Sequence, residues 1–151
     1  MNQISRLQSK ILSFSTLENQ LKKWRKANEK IVFTNGCFDL LHLGHVNYLA
    51  KARDLGNRLV VGLNTDASIR RLKGSSRPVK DEQSRLALLA GMAFVDAVVL
   101  FDEETPINLI SIISPDVLVK GGDYEVKDIV GHEIVLNNKG KVCTIDFIDG
   151  Y

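Results

Sequence analysis

Two of the chain's three histidines, His42 and His45, stand three residues apart in the segment GCFDLLHLGH, with Gly44 between them and Asp39 just ahead. Residues at that spacing in the first turn of a helix project to one side. Imidazoles placed there, beside the unpaired N–H groups and partial positive charge of a helix N-terminus, suit a phosphate group. The chemistry is electrostatic stabilisation at phosphorus during phosphoryl-type transfer. Gly36 lets the backbone turn tightly and approach a ligand, and Gly44 leaves room for a bulky anion. The helix end depresses an imidazole's proton affinity, whereas a bound polyphosphate raises it.

Further charges stand in loops. Lys73 closes a short helical segment, where a lysine also complements the helix dipole. Arg77 precedes Pro78 in the loop GSSRPVKD, and an arginine there is either solvated or holds an anion bidentately. In KGGDY, Lys120 and Asp123 offer charge while Gly121 and Gly122 permit close backbone approach; the alternative is a plain turn. Asp39 is equally well explained as a turn aspartate. Asp66 and Arg85 read as helix-cap or surface residues and stay outside the catalytic set. Cys37 is not read as a nucleophile.

These residues need a scaffold that brings loop ends together. IVFTNG (31–36), RLVVGLN (58–64), DAVVLF, DVLVKGGDY and KVCTIDFI are apolar, β-branched runs, and read as five buried strands. Between them, LGHVNYLAKARDLG, ASIRRLK, EQSRLALLAGM, a Pro106-initiated segment and IVGHEIVLNNKG read as helices. Val46, Leu49 and Ala50 are expected to face inward, as are Leu86, Leu89 and Ala90. Gly131 weakens the last of these helices. Leu17, Leu21 and Trp24 place an apolar stripe on a helix over 15–28, capped by Ser15 or Thr16. Residues 1–14 carry no clear signal. Strands alternating with helices predict an α/β fold with a parallel, doubly wound, Rossmann-like sheet. Ligands in such folds bind at the carboxyl ends of the strands, where Thr34–Asp39, Asn64–Asp66 and Lys120–Tyr124 fall.

Bulk properties fit one globular domain over the 151 residues. Twenty Lys and Arg against 18 Asp and Glu give a net charge of +2, which argues against bulk electrostatic binding of nucleic acid or membrane. The two cysteines, Cys37 and Cys143, are far apart, and with His132 the remaining histidine no zinc-ligand spacing arises. Reduced thiols, a polar start and no membrane-length apolar run predict a cytoplasmic protein.

GCFDLLHLGH resembles the G-x-F-D-x-x-H-x-G-H signature of the cytidylyltransferase-like nucleotidyltransferases. Class I aminoacyl-tRNA synthetases carry a related H-x-G-H in far longer chains. From about Leu17 onward, and most of all in RPVKDEQSRLALLAGMAFVDAVVLFDEETPINLISIISPDVLVKGGDY, the chain resembles the adenylyltransferases of ADP-heptose synthesis, in their stand-alone form and as the second domain of their bifunctional form. The resemblance implies transfer of AMP from ATP to D-glycero-beta-D-manno-heptose 1-phosphate for lipopolysaccharide core, with release of pyrophosphate and with Mg²⁺ accompanying the triphosphate. It implies that His42, His45 and Lys73 act on the phosphates. Asn35, Gly36, Cys37, Phe38, Gly44, Lys120, Gly121, Gly122 and Asp123 line the nucleotide site, and Asp39 and Arg77 serve the sugar phosphate. A homo-oligomer and a separate heptose kinase upstream are expected. Alternatives are a cytidylyltransferase acting on glycerol 3-phosphate or another alcohol phosphate, and a nucleotide-binding module without turnover. The family pattern continues after the fifth strand with a Ser-Thr-Thr segment that DFIDGY does not reach, so this chain is expected to bind nucleotide weakly and turn over slowly.

Overall fold

A computed structural model of the chain describes residues 1–122 and 124–150. In chain order the elements are α1 (Gln3–Ser9), β1 (Ile11–Leu12), α2 (Phe14–Lys26), β2 (Ile31–Gly36), α3 (Leu43–Arg53), β3 (Arg58–Asn64), α4 (Asp66–Lys73) and α5 (Glu82–Ala90). Then follow β4 (Ala97–Phe101), α6 (Ile107–Ile113), β5 (Val117–Gly121), a 3₁₀ turn (Val126–Asp128), α7 (His132–Asn137) and β6 (Lys141–Ile145). Among the described residues these strands form one six-stranded sheet in the order β1-β4-β3-β2-β5-β6, with every pairing parallel. From β2 the chain builds outward through β3 and β4, then returns to add β5 and β6 on the other side. The reversal between β2 and β5 opens a crevice at their carboxyl ends, where such sheets bind ligands.

Alternate strand residues feed two cores, as the two-residue period requires. Ile31 and Phe33, Val60, Ala97, Val99 and Phe101, and Leu118 meet Leu17, Leu21 and Trp24 of α2 and Leu109, Ile110 and Ile113 of α6. Val32, Leu59, Val61, Leu63, Val98, Val117 and Val119 meet Tyr48, Leu49 and Ala52 of α3 and Leu86, Leu89 and Ala90 of α5. The amino ends of the strands are tied by charge. Asp96 accepts from the Leu59 N–H at 2.7 Å and from Arg53 at 2.9 Å, Arg58 pairs with both Asp96 and Glu29, and Asp116 accepts from the Ile31 N–H at 2.8 Å.

The parallel α/β class holds, with differences in detail. Residues 1–14 are ordered into α1 and β1, and Ile11 and Leu12 pair with Val98 and Val99 to add a sixth strand. Two residues are too few for any periodicity, so this strand leaves no sequence signal. The cap of α2 is Ser13, not Ser15 or Thr16; its hydroxyl accepts from the Thr16 N–H, and the Thr16 hydroxyl accepts from the Ser13 N–H in return. Threonine thus fills the capping-box role usually held by Glu or Gln. Val46 faces outward at 39% exposure, because α3 buries the stripe Tyr48, Leu49 and Ala52 instead. The segment 129–140 is helical only over His132–Asn137.

Gly131 explains that late start. It sits at the helix N-cap with φ of 88°, and a Cβ built there would lie 2.6 Å from Ile110 Cδ1. Gly131→Ala should therefore destabilise the fold by about 2 kcal/mol, through left-handed backbone strain and displacement of Ile110. Urea denaturation of the variant checks this, and an unchanged midpoint would show that the α6–α7 contact yields freely.

Candidate functional site

β2 ends in Asn35 and Gly36 and runs into Cys37, Phe38 and Asp39 before α3 begins. His42 is the N-cap of α3, and its Nδ1 accepts the Gly44 N–H at 3.0 Å. Three residues on, Nδ1 of His45 accepts the His42 N–H at 3.3 Å. The two imidazoles thus close a reciprocal capping box, a role ordinarily filled by Ser or Thr with Glu. Of the N–H groups at this helix start, which were expected to face an anion directly, those of His42 and Gly44 are taken by the imidazoles. An Nδ1 that accepts a hydrogen bond carries a lone pair, so each neutral ring keeps its proton on Nε2. The rings lie 4.0 Å apart between centroids, tilted by 31°, and the buried Phe38 ring meets His45 edge-on at 5.4 Å.

Both rings line a cleft of about 750 Å³ at the carboxyl ends of β2 and β5. Asn35, Gly36, Cys37, Phe38, Asp39, Gly44, Lys73, Arg77, Lys120 and Gly121 line it as well, so nearly all the residues expected at the site come together there. Lys73 arrives from the last turn of α4, whose cap Thr65 and terminating Gly74 set its length. Gly122 follows Gly121 at φ of 90°, and Asp123 lies outside the described residues.

Asp39 lines the cleft, and its carboxylate is engaged by the chain's own 77–80 loop. Its carboxylate is buried and accepts the Val79 N–H at 3.0 Å, the Lys80 N–H at 2.9 Å and Arg77 Nη1 at 3.2 Å. It clasps the 77–80 loop onto the histidine segment and holds Arg77 at the cleft. Burial pushes the Asp39 carboxyl up, but the Lys80 and Val79 N–H groups and Arg77 together hold it below the usual carboxylate range.

Arg85 is the larger correction. It is not a surface residue: it is fully buried and bonded to Asp66, itself read as a simple cap, at 2.7 Å. An arginine in an amphipathic helix gives no sign in sequence of which face it takes. Phe147 was also missed. It lines the cleft, and its ring lies where a Cβ on Gly121 or Gly122 would fall, at 2.7 and 2.9 Å. The two glycines therefore make room for an aromatic ring of the same chain. Beneath the cleft, Tyr48 shares a 2.7 Å hydrogen bond with Thr34, and burial pushes its phenol up to about 12.

The electrostatics favour an anion. Asp39 is the one acidic residue among the described cleft-lining residues, and its oxygens are engaged. Burial pushes the Lys120 ammonium below its usual range, against a smaller opposing pull from Cys37. Among the described residues no group of three His, Cys, Asp or Glu gathers that could hold a metal. No described helix is long and apolar enough to cross a membrane.

The profile of the cytidylyltransferase-like family matches residues 33–148, and the chain belongs to that family. It is 54% identical over 142 residues to the bifunctional protein HldE of Citrifermentans bemidjiense, covering 94% of this chain and 29% of that protein. It is 55% identical over 141 residues to HldE of Campylobacter concisus, with 93% and 29% covered. The chain thus spans about 29% of the length of these curated relatives. A crystal structure of the lipopolysaccharide core biosynthesis protein from Thermoplasma volcanium superposes with a TM-score of 0.63 at 31% identity, covering 80% of this chain and 97% of that one. Pantoate-beta-alanine ligase from Francisella tularensis shares the fold alone, at 14% identity and a TM-score of 0.64 over 90% of this chain and 66% of that one.

The geometry has a consequence for pH. Burial, the neighbouring His42 and the Lys73 ammonium all hold the His45 imidazole below its ordinary 6.5. As pH falls, the unfolded chain then takes up the proton before the folded one does. This contribution to stability is complete above 6.5 and is lost as pH falls from there through the folded value. NMR titration should give His45 a midpoint below 6.5. Denaturation should show lower stability at about pH 5.5 than at about pH 7.5, and His45→Gln should shrink that difference. A midpoint at or above the ordinary value would contradict the burial and cap geometry.

Proposed function

We propose that the chain is an adenylyltransferase domain that joins AMP from ATP to D-glycero-beta-D-manno-heptose 1-phosphate, giving ADP-heptose and pyrophosphate for lipopolysaccharide core. The observation that carries the chemistry is the histidine capping box. It fixes two imidazoles side by side, each held through Nδ1, on the wall of a cleft that also holds Lys73, Arg77 and Lys120. The choice of sugar and base rests on the resemblance of RPVKDEQ and VLVKGGDY to the heptose branch, and the similarity to HldE and to a lipopolysaccharide core biosynthesis protein supports it.

In this reading a phosphate oxygen of the sugar phosphate attacks the α-phosphorus of ATP in line. The bond from that phosphorus to the bridging oxygen breaks, pyrophosphate takes the electron pair, and no covalent enzyme intermediate forms. The protein's contribution is positioning and charge neutralisation. His42 and His45 donate to phosphate oxygens as negative charge grows on them. Lys73 and Lys120 neutralise the triphosphate, and Arg77, held by Asp39, receives the sugar phosphate. A magnesium ion accompanying the triphosphate would neutralise part of its charge. Under the same reading the enzyme acts in the cytoplasm as a homo-oligomer, and a heptose kinase supplies its sugar phosphate.

His42→Ala and His45→Ala should each lower turnover by about a hundredfold or more, the scale of losing one oxyanion-type donor. Pyrophosphate release should be measured with ATP and CTP across heptose 1-phosphate and glycerol 3-phosphate, using variants matched for melting temperature. Histidine variants within a few-fold of wild type would remove the phosphate role. Preference for CTP with glycerol 3-phosphate would move the protein to a polyol-phosphate cytidylyltransferase, and binding without product would leave a nucleotide-binding module.

A further inference from the structure

Arg85 is 0% exposed, on an α5 face otherwise made of Leu86, Leu89 and Ala90. Its guanidinium reaches four acceptors. Nε donates to the Lys80 carbonyl at 3.0 Å, Nη1 to the carbonyls of Cys37 at 2.9 Å and Asn64 at 2.7 Å, and Nη2 to Asp66 Oδ1 at 2.7 Å. These acceptors come from four segments: the loop after β2, the end of β3, the loop before α5, and the first turn of α4. The Lys80 peptide is gripped from both sides, its N–H by Asp39 and its carbonyl by Arg85.

A guanidinium is costly to bury unless its donors are paired, and an apolar residue would fill a purely structural position at less cost. What arginine adds is a rigid planar fork that satisfies several carbonyls at fixed angles, which a lysine ammonium cannot reproduce. Two of the three carbonyls it holds, those of Cys37 and Lys80, belong to segments that furnish the cleft. Cys37 lies in the loop leading to His42 and His45, and Lys80 lies in the loop that presents Arg77.

We infer that Arg85 is a positioning residue for the cleft. From beneath the site it fixes the histidine loop and the Arg77 loop relative to each other, so that both face one phosphate-bearing ligand. It does not line the cleft itself. The inference rests on the reading of that cleft as a nucleotidyltransfer site and names a residue on which its geometry depends.

The test is a double-mutant cycle on kcat/KM with ATP and heptose 1-phosphate, using Arg85→Lys, Arg77→Ala and the pair. A small misplacement of reacting groups costs up to about a hundredfold, so Arg85→Lys should lower kcat/KM by about 10- to 100-fold. In the Arg77→Ala background the same change should cost only about threefold, because part of what it positions is already gone. Equal losses in both backgrounds overturn the inference. The ring resonances of the three histidines give a second readout that needs no turnover. Arg85→Lys should move those of His42 and His45 and leave that of His132, on α7, in place; movement of all three or of none overturns the inference. If the wild-type chain makes no nucleotide sugar, the function reading falls while the resonances still decide the role of Arg85. Should Arg85→Lys fail to fold, Asp66→Ala removes only the carboxylate partner and is read in the same two ways. Losses of about 3- to 10-fold with shifted His42 and His45 support the inference, and wild-type values in a folded Asp66→Ala protein overturn it.

Discussion

The N–H groups that open a helix have no acceptors within it, and in α3 two imidazole nitrogens supply them. An aspartate would cap the helix as well but, being acceptor-only, would leave no donor behind. With histidine, the bond that ends the helix also fixes the ring, consumes Nδ1 and leaves the proton on Nε2. Protonating Nδ1 of His45 would sacrifice the hydrogen bond from the His42 N–H. That restraint acts in the same direction as the burial and neighbouring charges that hold His45 below its ordinary value. The geometry of the cleft wall therefore follows from how one helix begins.

Charge is laid out differently at the two ends of the sheet. At the amino ends, Glu29, Asp96 and Asp116 meet Arg25, Arg53 and Arg58 and the first N–H groups of two strands. At the carboxyl ends, Asp39 and Asp66 are spent inward, on a loop and on a buried arginine. Among the described residues, neither Lys73 nor Lys120 pairs with a carboxylate. A chain with a net charge of only +2 thus presents a locally cationic cleft.

Architecture alone does not define the chemistry. The chain superposes about equally well on a lipopolysaccharide core biosynthesis protein and on a pantoate-beta-alanine ligase, with TM-scores of 0.63 and 0.64, while identity falls from 31% to 14%. A parallel sheet with a switch point offers the crevice, and the side chains placed around it choose the reaction. Here those side chains come from the loop after β2, the end of α4, the 77–80 loop and the end of β5.

By itself the sequence determined the features that depend on local pattern. Solid apolar runs fixed five of the strands, and GCFDLLHLGH with KGGDY located most of the cleft. Two-residue β1 escaped because a strand that short has no period to read, and Val46 was misplaced because the buried stripe of α3 turns on which residues meet the sheet. The tertiary structure alone decided what Asp39, Arg85 and Phe147 do. Their partners lie far along the chain, 40 residues from Asp39 to Val79 and 48 from Arg85 to Cys37. Hydrogen bonds across such separations exist only once β2, β3 and the loop before α5 are folded together, and no residue type or short spacing encodes them.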